Sequence, residues 1–354
     1  MIVIDSHLDL AWNALGWNRD LTRDIQEMRK AEAGMKDVGR GFNTVSLSEM
    51  RKGEVAVCLA TVLARKSDLG ELNLDFRSRE LAYAMGQGQI AYYRVLEKQG
   101  HLKMLRNLRD LREQMRRWLS EDHSTLRLGF ILSMEGADPI ISPGDMGEWW
   151  DNGLRVIGLA HFGRSAYAHG TGITGGLTPQ GPDFLKAMQE AGMILDLTHL
   201  SEESFWEALN LFPGPVLASH NNCRALTPGD RQFTDDQIRE LIRRDAVIGA
   251  VLDCWQILPD WKLGSTPTSL VSLEDVANHI DHICQLAGNA RHAGIGSDLD
   301  GGFGTEQSPH DLETIADLQS LPAILCKRGY SNSDIEGVMH ANWLRFFEQA
   351  WVKN

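Results

Sequence analysis

Eight short runs of β-branched or apolar residues recur along the chain, separated by longer stretches with helical spacing. They are Ile2–Ile4, Val55–Leu63, Leu126–Met134, Leu154–Leu159, Met193–Leu197, Pro215–Ala218, Ala246–Leu252 and Ala293–Gly296. Runs that stay apolar instead of alternating suit strands buried on both faces. Strand–helix alternation implies a parallel sheet, and eight units fit a closed (β/α)₈ barrel. The rival is an open doubly wound sheet, which gathers its chemistry at one switch point. Here polar residues terminate the first, third, fourth, fifth, sixth and eighth runs, the pattern of groups converging at the mouth of a barrel. The reading is one barrel domain over 1–354, with an added helical excursion at about 76–120 on its outer wall.

Helix signals fall between the runs. Phe76–Gln99 and Leu105–Ser120 carry Leu, Met, Arg and Glu at helical spacing. Ser201-Glu-Glu-Ser204 reads as a helix N-terminus, and Thr234-Asp-Asp-Gln237 fits a capping box. Ser272–Ala287, Asp311–Arg328 and Ser331–Trp351 read as helices, and the Gly-, Thr- and Ser-rich stretch Gly163–Gly181 as a functional loop.

The chemistry lies at the run ends. In extended backbone, residues two apart point to one side, so His7 and Asp9 project together. Glu135, His199 and His220 follow later runs. These nitrogen and oxygen donors suit a borderline divalent ion such as zinc. Five protein ligands are too many for one four-coordinate ion with an open position. They fit two ions bridged by Glu135, one on His7 and Asp9, the other on His199 and His220, with room for a bridging hydroxide. Taken singly, each histidine reads as a hydrogen-bonded strand-end residue; the set on separate strand ends favours metal. Asp298, first off the eighth run, is the candidate proton shuttle, whereas Asp300 fits the Gly-rich turn better. His161 suits an oxyanion donor or a core histidine. Arg231 suits a clamp for a substrate carboxylate or a solvated loop arginine.

Other features point away from chemistry. His279 and His282 share a helix face without a zincin glutamate, and His101, His123, His292, His310 and His340 lack metal-like partners. His169 lies in the long loop, and Trp149-Trp150 reads as packing. No P-loop, nucleophile-elbow or strand-linked dinucleotide motif is present. The net charge of −13 argues against a nucleic-acid or anionic-membrane surface. The sequence has five scattered cysteines without C-x-x-C, no signal-like segment before Ile2 and no apolar run of membrane length; together these lead to the expectation of a cytoplasmic protein.

Asp5-Ser-His7-Leu-Asp9, Met134-Glu135-Gly136, Asp196-Leu-Thr-His199, Ala218-Ser-His220 and Gly296-Ser-Asp298-Leu-Asp300-Gly301 together resemble the membrane (renal-type) dipeptidase family of the amidohydrolase superfamily. Gly175–Gly181 and Val276–His282 are similar to family stretches too. The resemblance implies a (β/α)₈ barrel with two zinc ions bridged by Glu135, His161 and Arg231 binding substrate, and Asp298 catalytic. It also admits a homodimer. Two places depart from the family pattern: Leu8 stands where Asn is frequent and Ala11 where Pro is frequent. The expected activity is zinc-dependent hydrolysis of dipeptides; family members differ in tolerating a D-residue at the C-terminal position. The alternatives are an amidohydrolase of N-acyl amino acids or a lactam, and a non-catalytic binding barrel.

Overall fold

A computed structural model describes residues 1–68, 70, 73–123 and 126–352. Its strands, in chain order, are β1 (Val3–Leu8), β2 (Val55–Leu63), β3 (Arg65–Lys66), β4 (Asp75–Phe76), β5 (Leu102–Met104), β6 (Leu128–Glu135), β7 (Leu154–Gly158), β8 (Ile194–Asp196), β9 (Val216–Leu217), β10 (Ile248–Ala250) and β11 (Ala293–Ile295). The main sheet runs β10-β11-β1-β2-β6-β7-β8-β9, and its named strand pairs are parallel. Its two ends meet: Ala218 N donates to Val247 O at 3.1 Å and Gly249 N to Ala218 O at 2.9 Å. The sheet is thereby a closed (β/α)₈ barrel, as the alternation predicts.

β2 has the predicted bounds, because all nine of its residues are buried and nothing polar interrupts the run. β1 extends past the predicted Ile4 to Leu8, through three buried polar residues, of which Asp5 and Ser6 are paired inside the barrel. Ser6 Oγ donates to Ser219 O and to Ile295 O, and Asp5 accepts from the Ser297 amide at 2.9 Å. A β-carbon at Gly249 or Gly296 would collide with Ser219 O and with Ser6 Oγ, so glycine is required where the barrel closes around Ser6.

Helices Arg79–Lys98 and Leu108–Ser120 occupy the stretch read as a helical excursion. Between them lies β5, which the sequence reading lacks; it pairs the first half of β6 (Met104↔Phe130), ahead of the β7 pairing that starts at Leu132↔Leu154. Helix Gly181–Ala191, directly after the Gly-, Thr- and Ser-rich loop, is a further element beyond the sequence expectations. The helix expected over 311–328 begins as a 3₁₀ turn, Ile315–Ser320; α-helix follows only at Leu321–Lys327, beside Pro322, whose fixed φ suits a first turn. The helix expected over 331–351 is broken by a π turn at Gly337–Ala341. No helix among the described residues is long and apolar enough to cross a membrane.

Candidate metal centre

The parallel barrel brings all its strand ends to one mouth. His161, His199, His220, Asp253 and Asp298 each stand three residues past the last residue of their strand: Gly158, Asp196, Leu217, Ala250 and Ile295. Glu135 is the last residue of β6, and His7 and Asp9 flank the end of β1. Two of these turns are unusual: His199 (φ 65°) and Asp298 (φ 58°) take left-handed backbone, which non-glycine residues adopt mainly where surrounding structure holds them. The Asp298 carboxylate lies against Gly301, where a β-carbon would overlap it.

The structure brings the five predicted ligands into one buried cluster. Glu135 divides its carboxylate between two donor sets. Oε1 lies 3.3 Å from His199 Nε2 and 3.3 Å from His220 Nε2, while Oε2 lies 3.6 Å from His7 Nε2. His7 Nε2 is in turn 3.6 Å from Asp9 Oδ2 and 3.7 Å from Asp298 Oδ1. Thr171 Oγ1 stands 3.1 Å from Nδ1 of His199, and Ser219 Oγ 2.9 Å from Nδ1 of His220. With these hydroxyls accepting from Nδ1–H, both Nε2 atoms turn lone pairs toward Glu135.

Electrostatics and unmet hydrogen bonding favour a cation. Burial raises the carboxyls of Glu135 and Asp298, Asp298 well above the usual range, with neighbouring carboxylates adding to the effect. Burial opposes charge on His7, yet Glu135 and Asp9 outweigh it and hold its pKa well above normal. Burial first, then neighbouring positive groups, keep His199 and His220 well below it. His7 Nε2 is buried with no hydrogen-bond partner among the described residues, amid three carboxylates. Neutral imidazoles at His199 and His220 and excess carboxylate charge around His7 fit divalent metal, and the two triads His7–Asp9–Glu135 and Glu135–His199–His220 each have ligand atoms within 4.8 Å of one another.

Asp9, Glu135 and His199 of the cluster line a cavity of about 820 Å³, ample for a small ligand. His161, Arg231 and Asp298 border it, as do Asp253 and the aromatic side chains of Trp12, Trp17 and Trp255. Arg231 is buried, not solvated. It donates to Asn221 Oδ1 at 2.8 Å and to His220 O at 2.9 Å, and Asp298 and Glu135 oppose the lowering of its pKa by burial. Asp300 belongs to the turn: its Oδ1 accepts from Thr44 N and its Oδ2 from Val45 N. The Ala11 departure has a use, since its amide, which Pro would lack, donates to Tyr93 Oη at 3.1 Å. Tyr93 Oη donates to Thr61 O, and Thr61 Oγ1 to Asp9 Oδ1. Leu8 is core.

The other histidines stay outside the cluster. His279 accepts from Cys223 N, His282 pairs with Asp235, and His169 bonds Gly176 O within its loop. Sequence reasoning missed Arg65, 3.0 Å from His161, and the pocket-lining part of Asp253. The signal for Asp253 was its place after the seventh run; Arg65 had none beyond following an apolar run.

The whole chain, residues 1–354, matches the membrane dipeptidase family, peptidase family M19. A dipeptidase of Clonostachys rogersoniana, verJ, is 26% identical over 98% of this chain and 83% of its own. Another from Aspergillus oryzae, aclJ, is 32% identical over 63% of this chain, a match spanning 52% of that protein. Among solved structures, a metallopeptidase from Rhodobacter sphaeroides, bound to a phosphinate mimic of L-Ala-D-Ala, superposes with a TM-score of 0.80 at 22% identity, covering 99% of both chains. The dipeptidase PvdM of Pseudomonas aeruginosa, described as probable, superposes at 0.80 with 16% identity, covering 100% and 96%.

Proposed function

Since the chain belongs to the membrane dipeptidase family and is a metal-dependent peptide-bond hydrolase, we propose that it cleaves dipeptides at two zinc ions held by His7, Asp9, Glu135, His199 and His220. The observation that carries this reading is the division of Glu135, with Oε1 toward His199 and His220 and Oε2 toward His7. Zinc bound there would supply a bridging hydroxide as nucleophile at neutral pH.

The chain's own groups do the rest. Arg231, fixed by Asn221 and the His220 carbonyl, clamps the substrate's free carboxylate, which restricts cleavage to short peptides. His161 faces Glu135 Oε1 at 4.0 Å and donates to the carbonyl oxygen as negative charge develops there. Asp298, close to His7, takes the nucleophile's proton and delivers it to the leaving amine. In this reading a D-residue is also tolerated at the C-terminal position, supported by the L-Ala-D-Ala mimic bound to the structurally similar Rhodobacter sphaeroides metallopeptidase, and the five unpaired thiols suit the cytoplasm.

Metal analysis joined to a substrate panel tests it. Two zinc per chain and hydrolysis of L-Ala-L-Ala or L-Ala-D-Ala, with N-acetylated analogues cleaved far more slowly, are expected. One zinc per chain, or faster cleavage of N-acyl amino acids, would overturn it.

A further inference from the structure

Arg65 opens β3, two residues past the end of β2, and is buried. Its Nε is ion-paired with Asp75, the residue opposite it in β4. Its NH1 stands 3.0 Å from Nδ1 of His161. A guanidinium has only N–H donors and stays charged. Nδ1 of His161 must therefore present a lone pair, which excludes the imidazolium and puts the ring's one proton on Nε2. Nε2 is the atom that faces Glu135. His199 and His220 differ because hydroxyls, which can accept, face their Nδ1 atoms. One cluster thus contains two kinds of imidazole, told apart by the group behind each ring.

We propose that Arg65, held by Asp75, is a positioning residue that fixes His161 as the Nε2–H tautomer, barring it from coordinating metal and keeping it a hydrogen-bond donor to the substrate's carbonyl oxygen. This rests on the dipeptidase reading for the identity of the acceptor; the tautomer stands independently of it. Burial, with the charges of Arg65 and Arg231, works in the same direction by disfavouring a charged His161.

The test is ¹⁵N NMR of zinc-loaded protein labelled at histidine, with His161 assigned through His161→Gln. The expected spectrum shows a protonated Nε2 and an unprotonated, metal-free Nδ1. In Arg65→Gln the amide oxygen can accept from Nδ1–H, so the signature should become mixed or reversed. Its kcat should fall roughly 10–100-fold with KM and zinc content little changed. Arg65→Lys retains a charged donor and should restore both tautomer and most of kcat. A wild-type His161 protonated at Nδ1, or an unchanged signature and kcat in Arg65→Gln, overturns the proposal. The wild-type spectrum needs neither turnover nor a variant, so inactivity on dipeptides would count against the activity reading alone.

Discussion

The Nε2 atoms of His199 and His220 face each other at 3.2 Å, and Glu135 Oε1 lies 3.3 Å from each. Two ring nitrogens backed by hydroxyls at Nδ1 repel at that distance unless a cation or a proton lies between them. Glu135→Gln keeps the shape and removes the anion shared by both donor sets. Zinc content should drop below two per chain, and kcat/KM should fall by more than about 100-fold, the upper range for losing a group behind a ligand. Plasma emission spectrometry of the dialysed protein reads the first and a dipeptide assay the second.

Asp298 approaches His7 Nε2 to 3.7 Å on left-handed backbone braced by Gly301. Asp298→Asn should retain zinc and lower kcat by about 10²–10⁴-fold, the contribution of a positioned acid–base group, while KM changes little. Turnover equal to wild type would remove Asp298 from proton transfer.

Legibility followed how far each partner lies along the chain. The proposed metal ligands sit at strand ends, and strands buried on both faces announce themselves, as β2 does to the residue. The strand signal of β1 stops short because Asp5, Ser6 and His7 are polar yet interior; Asp5 and Ser6 are paired with Ser219, Ile295 and Ser297, which are more than 200 residues away. The link from Arg65 to His161 spans 96 positions and β3 has only two residues, so no local period marks it. β5 was hidden for the same reason, being three residues between two strong helix patterns.

Arg231 is anchored at both terminal nitrogens, so its guanidinium is preorganised to receive a carboxylate. Arg231→Lys keeps the charge and loses the fork. Losing one charge-assisted bond of about 1.5–3 kcal/mol should raise KM for free dipeptides by roughly 10–100-fold. Dipeptides amidated at the C-terminus, which lack the carboxylate, should distinguish the two proteins much less. Steady-state kinetics on the paired substrates decides it.

Asp300 ties the turn behind Asp298 to the segment at 44–45. Its Oδ1 accepts from Thr44 N at 2.6 Å and Thr44 Oγ1 at 2.8 Å, its Oδ2 from Val45 N at 3.0 Å, and Arg19 NH1 lies 3.6 Å away. Asp300→Ala strands two buried amides and the Thr44 hydroxyl, whereas Arg19 keeps its ion pair with Glu32. It should cost about 3 kcal/mol of folding stability by urea denaturation, in the range for leaving buried donors unsatisfied. A change under about 1 kcal/mol would show that those donors find other partners.

Asp253 offers a pH test away from the proposed ligands. It is buried against the cavity wall, where Oδ1 accepts from Gln307 Nε2 at 2.8 Å and Trp255 N at 3.4 Å. Burial outweighs these bonds and pushes its carboxyl up to about 7, from an ordinary 3.8. The folded chain therefore holds this proton more tightly than the unfolded chain does. The associated stability is present in full below about pH 4, is lost as pH rises, and is gone above about pH 7. Asp253→Asn cannot ionise and keeps an oxygen for Gln307 and Trp255. Its advantage over wild type should be smallest near pH 4.5, grow through pH 6 and level off above pH 7.5. Roughly three pH units at about 1.4 kcal/mol each set a ceiling on the order of 4 kcal/mol. Urea unfolding of both proteins in the same metal state, at pH 5, 6, 7 and 8, measures the difference. A gap that stays constant over that range would mean that the carboxyl does not titrate there and that its charge is accommodated by the cavity wall.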